Sequence, residues 1–190
     1  MLVAPRHRFV SSLVGTIMTP PLCLVGPSDS GKTTLLESLV EALDGVASVA
    51  TIKSIHHDIE IDTPGKDTHR HRTAGADTVV GLTPTLSFEI TPGGKRAADS
   101  ETALLDATVA DLRADGYQVI LIEGYHNSSY PKLVLGERED IDPPVVARGS
   151  PDSFDVASLA AAIVDETLFE GSRRRALRHG TIRLPRKRRP

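Results

Sequence analysis

Residues 22–34 read LCLVGPSDSGKTT, and this stretch decides the fold that we predict. An apolar run ends at Gly26, and the letters GKT at residues 31–33 complete the pattern G-x-x-x-x-G-K-T. Leucine and valine then recur at helical spacing from Leu35 to Leu43. A strand, a glycine-rich loop and a helix in this order are the context of a phosphate-binding P-loop. The sequence therefore predicts a nucleoside triphosphate site and leaves its base open.

The positions of this loop have different chemical tasks. The two glycines allow backbone angles and close approaches that a Cβ atom would block. Backbone N–H groups of the loop and of the helix start face the phosphates. Lys32, a candidate catalytic residue, adds a charge for the β- and γ-oxygens, and Thr33 offers its hydroxyl to Mg²⁺. The predicted nucleotide-binding residues are Gly26, Pro27, Ser28, Asp29, Ser30, Gly31, Lys32, Thr33 and Thr34.

The composition is typical of one soluble domain. The 190 residues are 39% hydrophobic and 25% charged without any Trp, so we expect a single core of aliphatic side chains. Such a core suits a parallel sheet between two helical layers. The single cysteine, Cys23, falls in the first predicted strand and fits a reducing compartment. No apolar run approaches the length of a membrane span, and we expect a cytoplasmic protein with no membrane contact.

The two ends of the chain differ from its middle. Nine of the 22 Lys and Arg residues lie in residues 173–190, which contain no Asp or Glu. A segment this charged cannot bury a core. Because it has no aromatic residues and no recognisable nucleic-acid fold, we do not expect nucleic-acid binding. We predict a disordered extension at residues 1–17, a P-loop domain at residues 18–170 and a disordered basic tail at residues 171–190.

Strand and helix patterns alternate along the domain. Alternation after a P-loop predicts an α/β fold with a mostly parallel sheet and helices on both faces. Residues 59–61 read as a short, half-exposed strand and residues 92–96 as a loop. The other predicted strands are residues 46–53, 78–82, 85–90, 117–122, 132–135 and 145–147, and the predicted helices are residues 32–43, 67–74, 100–115 and 155–169.

Two acids are alternative candidates for the coordination shell of Mg²⁺. Glu123 follows four apolar residues of a predicted strand, which is the position of the acid that holds Mg²⁺ or its water in P-loop enzymes. Its alternative is an acid that only ends a strand. Asp62 begins a D-x-x-G sequence, the form of the γ-phosphate switch in GTPases, and its alternative is a turn initiator. Both are candidate catalytic residues, and Thr33 and Glu123 are the candidate metal ligands.

The polar segment after the second predicted strand contains several histidines. His56 and His57 are adjacent, and His69 and His71 follow further along the chain. Adjacent side chains of a strand point to opposite faces, so the first pair is not expected to hold one ion. The segment has no cysteine, and we do not expect a structural zinc site. Histidines beside a P-loop are expected to contact nucleotide, substrate or a partner subunit.

Residues 20–168 resemble the molybdopterin-guanine dinucleotide biosynthesis protein B family. The paired patterns K-x-x-H-H-D and D-x-P-G-K-D are far more specific to that family than the P-loop is. The resemblance is carried by GPSDSGKTT at residues 26–34, IKSIHHD at residues 52–58, DTPGKD at residues 62–67, AGA at residues 74–76, LIEGY at residues 121–125 and PKLVL at residues 131–135.

This resemblance implies a Rossmann-like, three-layer P-loop fold and a homodimer. It also implies binding of GTP with Mg²⁺, slow hydrolysis, and assistance to the guanylyltransferase that joins GMP to molybdopterin, with molybdopterin or molybdoenzyme-maturation proteins as further partners. Lys32, Thr33 and Thr34 carry over as phosphate and Mg²⁺ contacts, and Glu123 as the Walker-B-like acid. The signature loop carries over as Lys53, His56, His57, Asp58, Asp62, Lys66 and Asp67.

The chain departs from the family pattern at two positions. Asp29 stands where the family often has Gly, and a carboxylate near phosphates weakens their binding unless it points away. His126 stands where a Lys is common. The sequence shows no evident catalytic Gln or arginine finger, which predicts slow hydrolysis. Arg70 and Arg72 are candidates to act in trans across a dimer.

Two alternative functions remain open at this stage. A small-molecule kinase with residues 56–67 as its acceptor loop predicts phosphate transfer to an added acceptor. A non-enzymatic regulatory module predicts a nucleotide-dependent complex with negligible turnover. No clear N-K-x-D guanine motif is present, so the assignment of GTP depends on the resemblance.

Overall fold

The computed structural model describes residues 18–170, and the predictions for residues 1–17 and 171–190 lie outside the described residues. Strands and helices alternate along this part of the chain, as predicted. In chain order they are β1 (Leu22–Val25), α1 (Lys32–Leu43), β2 (Val49–Lys53), α2 (Asp67–Thr73), β3 (Val79–Leu82), β4 (Ser87–Ile90), α3 (Gly94–Ala97), α4 (Glu101–Ala114), β5 (Val119–Glu123), β6 (Lys132–Leu135), β7 (Val145–Gly149) and α5 (Val156–Val164).

Five strands form one parallel sheet in the order β2-β5-β1-β6-β7. The first strand, β1, lies at its centre, with Leu24 in register with Glu123 of β5 on one side and with Leu133 of β6 on the other. Ligands of open α/β sheets bind outside the carboxyl ends of the strands. This order therefore brings the segments that follow β1, β5, β2 and β6 to one edge.

Side chains of the central strand alternate between two apolar layers. Leu22 and Leu24 pack in the layer that contains α1 and α5, while Cys23 and Val25 pack in the layer that contains α4. All four are at most 1% exposed. Since full burial of a leucine contributes about 1.5–3 kcal/mol, this strand stabilises both layers of the fold. The three-layer α/β fold with a mostly parallel sheet is confirmed.

The connection from β2 to β5 carries a second, smaller sheet. In it β3 and β4 pair antiparallel, with Val79 opposite Ile90 and Leu82 opposite Ser87. Its apolar side chains are exposed to unusual extents: Leu82 is 81% and Leu86 70% exposed. A two-stranded sheet is marginally stable without further packing. We call residues 79–90 the hairpin.

Several predictions of single elements and their bounds were wrong. Residues 59–61 form no strand, because Glu60 accepts a hydrogen bond from Asp62 N and folds the segment locally. The predicted loop at residues 92–96 contains α3. The last helix ends at Val164, because Glu166 has a left-handed φ of 62°, and helical structure resumes at residues 167–170.

The second strand begins three residues later than predicted, at Val49. Residues 44–48 turn instead, and Gly45 has a φ of 72° directly after the C-cap of α1. Within residues 18–170, no helix is both long and apolar enough to span a bilayer.

Candidate functional site

The P-loop packs between the end of β6 and the turn after β7. Gly26 has a φ of 156°, and a Cβ atom there would overlap the carbonyl oxygen of Leu135. Gly31 has a φ of 79°, and its Cβ atom would lie 2.5 Å from Pro151 Cγ. Both glycines are therefore required by backbone angle and by space, as the motif predicts.

Lys32 begins α1 and lies back across the loop. Its Nζ donates to the Pro27 carbonyl and, at 3.4 Å, to Ser30 Oγ. Burial lowers the pKa of Lys32, Glu123 opposes this shift, and the charges of Lys53 and Arg138 lower the pKa further. Three cations therefore share one small region, and an anion bound there relieves their repulsion.

Glu123 ends β5 beside the start of α1. Its side chain is 9% exposed. Oε2 accepts from Thr33 Oγ1 at 3.0 Å, and Oε1 accepts from the Nζ of Lys53, which lies opposite Glu123 in the register of β2 and β5. A hydroxyl and a carboxylate are hard oxygen ligands of the kind that Mg²⁺ prefers. The pair of Thr33 and Glu123 fits the predicted metal role.

A cleft of about 780 Å³ opens over these residues at the carboxyl edge of the sheet. The P-loop forms one side, and residues 53–57 and 123–127 form much of the other. Gly124 and Tyr125 have φ angles of 106° and 56°, which turn the chain sharply after Glu123. A Cβ atom at Gly124 would lie 2.8 Å from Ser54 Cβ, so the two loops pack closely.

The structure divides the predicted signature loop into two groups. Lys53, His56 and His57 line the cleft. Asp58 and Asp67 do not line it: Asp58 accepts from Arg96 Nη2 at 2.9 Å, and Asp67 lies 3.6 Å from Arg70 Nη1. Only the first group is placed to contact a ligand of the P-loop.

The remaining members of that loop organise the start of α2. Asp62 Oδ1 accepts from the Thr63 backbone N at 2.8 Å and from Thr68 Oγ1 at 3.0 Å, and Lys66 is the N-cap residue of this helix. Neither Asp62 nor Lys66 lines the cleft. The structure therefore favours the turn-initiating role of Asp62 and does not bring it together with Lys32 and Glu123.

The arginines considered for action in trans lie on α2. Arg70 faces Asp67, and Arg72 Nη2 donates to both oxygens of Glu60 at 2.7 and 2.8 Å. Neither arginine lines the cleft. Among residues 18–170, no three His, Cys, Asp or Glu side chains converge in a group able to hold a metal ion.

The two departures from the family pattern both lie on the cleft. Asp29 has a left-handed φ of 58°, a conformation that Gly adopts without strain, and its exposed carboxylate makes a small contribution that raises the pKa of Lys32. His126 lies 3.8 Å from Asp140 Oδ2, across the cleft edge.

Sequence reasoning missed several residues of the site. Lys132 is fully buried, and its Nζ donates to the backbone carbonyls of Ser128 and Tyr130, so it holds the loop that follows β5. Burial lowers the pKa of Lys132. Its place in a predicted strand hid this role, because a lysine within an apolar strand reads as an exposed edge residue.

Lys95 and Arg138 were missed because their positions depend on the strand order. Lys95 Nζ donates to Ser54 Oγ at 2.9 Å and to Glu101 Oε2 at 3.2 Å, next to the cleft. Arg138 lines the cleft from the loop after β6. A polar residue just after a strand that neighbours β1 lies at the edge of the sheet where ligands bind. This signal could have identified Arg138 only if β6 had been known to be a neighbour of β1.

Comparison with known proteins gives a consistent result. The model of a family described as "Molybdopterin guanine dinucleotide synthesis protein B" matches residues 21–161. A protein of Escherichia coli (strain K12) named molybdopterin-guanine dinucleotide biosynthesis adapter protein is 33% identical over 159 residues, which are 77% of this chain and 88% of that protein. A protein of the same name from Haemophilus influenzae is 33% identical over 126 residues, 65% of this chain and 67% of the relative.

Solved structures show the same fold. The crystal structure of Bacillus subtilis MobB aligns with a TM-score of 0.54 and 22% identity over 76% of this chain and 98% of that one. A crystal structure of a molybdopterin-guanine biosynthesis protein B aligns with a TM-score of 0.54 and 23% identity over 78% and 99%. At these identities the alignments describe architecture alone.

Proposed function

The chain belongs to the molybdopterin guanine dinucleotide synthesis protein B family, and on this premise we propose that it binds GTP with Mg²⁺ and acts as an adapter in molybdopterin-guanine dinucleotide biosynthesis. The adapter role follows the names of its relatives in Escherichia coli and Haemophilus influenzae. We further propose weak GTPase activity, a cytoplasmic location and assistance to a guanylyltransferase.

One observation carries the nucleotide part of this proposal. The hydroxyl of Thr33 lies 3.0 Å from the Glu123 carboxylate, directly beside Lys32 and under a cleft that also receives Lys53 and Arg138. The three cations Lys32, Lys53 and Arg138, a hydroxyl–carboxylate pair and the start of a helix meet at one edge of the sheet. A triphosphate with its metal ion requires such groups.

Each residue has a distinct task in this proposal. Backbone N–H groups of residues 26–34 hold the phosphate oxygens, and Lys32 neutralises charge on the terminal phosphates. Thr33 and Glu123 would hold Mg²⁺, which supplies charge neutralisation when bound. Lys53 keeps the Glu123 carboxylate oriented toward the P-loop by its ion pair. The absence of a cleft-lining Gln among the described residues fits a slow hydrolysis rate.

The hairpin supports the proposal of a homodimer. Its exposed leucines offer an apolar surface on a two-stranded sheet that has little other packing. A second copy of the chain presents the same surface, and self-complementary contacts of this kind are usual in twofold dimers.

Isothermal titration calorimetry tests nucleotide binding. We expect GTP to bind wild-type protein in the presence of Mg²⁺ and to bind Lys32→Ala about ten- to a hundredfold more weakly, because charge-assisted hydrogen bonds contribute ~1.5–3 kcal/mol. Arg96→Ala is the matched control, since it removes a cation from an exposed ion pair that does not line the cleft. It should bind GTP like wild type.

The same titration with ATP separates the alternatives. Preference for GTP, lost in Lys32→Ala, supports the proposal and makes capture of a guanylyltransferase in the presence of GTP the next experiment. Equal or tighter binding of ATP contradicts it and favours the kinase alternative, in which His56 and His57 of the cleft would face an acceptor. Absence of binding by either nucleotide contradicts both.

A further inference from the structure

The loop after β6 lies directly on the P-loop. It begins at Gly136, whose φ is 72° and whose hypothetical Cβ atom would be 3.7 Å from Pro27 Cδ and 3.8 Å from Ser30 Cβ. Gly136 N donates to the Gly149 carbonyl at 3.0 Å. This end of the loop is therefore fixed against both the phosphate-binding backbone and β7.

Further contacts hold the rest of this loop. The carbonyl of Arg138 accepts a hydrogen bond from Arg148 Nη1 at 3.1 Å, and the backbone N of Asp142 donates to the His126 carbonyl at 3.1 Å. These bonds tie the loop to β7 on one side and to the loop after β5 on the other. The segment that carries Arg138 is thus built into the wall of the cleft.

The Arg138 side chain is oriented by a two-point ion pair. Its Nε donates to Asp140 Oδ1 at 2.8 Å, and its Nη2 donates to Asp140 Oδ2 at 3.0 Å. Asp140 is 70% and Arg138 29% exposed, so the carboxylate faces outward while the guanidinium lines the cleft. The Nη1 atom makes no hydrogen bond to any residue in the described range 18–170.

A guanidinium held by one edge presents its other edge in a planar fork. This geometry matches two oxygens of a phosphate, which a lysine cannot do. The charge of Arg138 also acts on Lys32, whose pKa it helps to lower. Arg138 lines the same cleft as Lys32, on a loop that begins against Pro27 and Ser30 of the P-loop. Because the P-loop lysine serves the β- and γ-phosphates, a second cation of this cleft is placed at the phosphate end of a bound nucleotide.

We propose that Arg138 contacts the γ-phosphate of the bound nucleotide from within the same chain, with Asp140 as the positioning residue, and that this contact distinguishes a nucleoside triphosphate from a diphosphate. This inference rests on the proposed nucleotide site. It is an alternative within one chain to the expectation that Arg70 or Arg72 of α2 acts in trans across a dimer.

The test compares the affinities of a non-hydrolysable GTP analogue and of GDP, each with Mg²⁺, by calorimetry. In Arg138→Ala we expect the affinity for the analogue to fall about ten- to a hundredfold while the affinity for GDP changes less than about twofold. Arg138→Lys should reduce the affinity for the analogue less than Arg138→Ala does, because lysine keeps the charge and loses the planar fork. Asp140→Asn should lie between Arg138→Lys and wild type.

Arg96→Ala controls for removal of an arginine from an ion pair elsewhere. Circular dichroism melting of every variant controls for folding, and Arg138→Lys and Asp140→Asn remain informative if Arg138→Ala is unstable. Wild-type affinity for both ligands in all three variants overturns the inference, as does an equal loss for the analogue and GDP. Failure of wild-type protein to bind either ligand overturns the proposed function, and the inference with it.

Discussion

The central sheet and the connection between β2 and β5 differ in how far their apolar side chains are buried. Every residue of β1 is at most 1% exposed and lies between two apolar layers. In the part of the connection before α4, residues 54–98, α2 has no buried residue and the hairpin exposes most of its apolar side chains. The first region lies between two apolar layers. In the second, only Val79 and Ile90 of the hairpin are buried apolar side chains, and local hydrogen bonds and ion pairs surround them.

The difference separates the residues of the site by function. The cleft depends on backbone and side chains anchored by the sheet, such as Glu123 and Lys132. The family-specific patterns of the connection instead fix turns and helix starts, as Asp62 does for α2. The sheet therefore positions most of the cleft, to which the part of the connection before α4 adds only its first residues, such as His56 and His57.

The largest expected effect is a loss of stability in the core. Leu24→Ala removes a side chain that is 0% exposed at the centre of the sheet, and we expect the free energy of unfolding to fall by about 2–5 kcal/mol because a cavity remains. Leu82→Ala makes the same chemical change where the side chain is 81% exposed, and should stay within about 0.5 kcal/mol. Urea unfolding measures both.

The control for this comparison is protein concentration. Both variants are unfolded at a concentration low enough to favour monomers, so that association does not add to stability. A cost for Leu82→Ala similar to that for Leu24→Ala would show that the hairpin has an intramolecular core, and the contrast between the two regions would be wrong.

The next largest effect concerns association through the hairpin. Leu82→Ser combined with Leu86→Ser removes two exposed leucines, and we expect the dimer dissociation constant to rise about tenfold or more per leucine, since burial of one leucine contributes ~1.5–3 kcal/mol. Sedimentation equilibrium measures the constant. Val46→Ser is the matched control, because Val46 is 62% exposed in the turn before β2.

An unchanged constant in the double variant would place any dimer contact elsewhere. A wild-type protein that is monomeric at all concentrations would contradict the homodimer itself. A weaker dimer in the Val46→Ser control would indicate that exposed apolar residues in general, and not those of the hairpin, drive association.

The sequence predicted the parts of the fold that depend on local patterns. The bounds of α1 and β6 agree with prediction to the residue, because a glycine-rich loop and turn residues end each pattern sharply. The P-loop, Lys32, Thr33 and Glu123 lie together in one cleft, as the motif logic requires. Their chemical roles stay predictions.

Other features depend on packing between distant segments, which local patterns do not specify. The strand order brings Arg138 to the P-loop although 106 positions separate it from Lys32 in numbering. Residues 59–61 alternate like a strand, but the Glu60 carboxylate accepts a hydrogen bond from the Asp62 backbone N and folds the segment locally. Lys132 is buried because the carbonyls of the turn after β5 accept hydrogen bonds from its Nζ. From the sequence alone, a lysine is expected at the surface, since it is rarely buried without partners.

The smallest expected effect sharpens the comparison at the loop that links core and cleft. Burial, and next a hydrogen bond with Asp106, raise the pKa of Tyr130 to about 12. A raised phenol pKa contributes stability that is present below about pH 10, the unfolded value, and is lost as the pH rises toward 12, because the unfolded chain then ionises first. An alkaline titration followed by phenolate absorbance measures the pKa of Tyr130. Comparison with Tyr130→Phe identifies the part of the absorbance that belongs to this residue.

Asp106→Asn separates the two causes. It removes the carboxylate and leaves the burial, so the pKa of Tyr130 should fall and remain above the usual value of about 10. This outcome would show that partial burial against the core raises the pKa of Tyr130 without the carboxylate. A return to the ordinary value would mean that the carboxylate alone produces the shift and that the loop is hydrated, which would place it with the connection and not with the sheet.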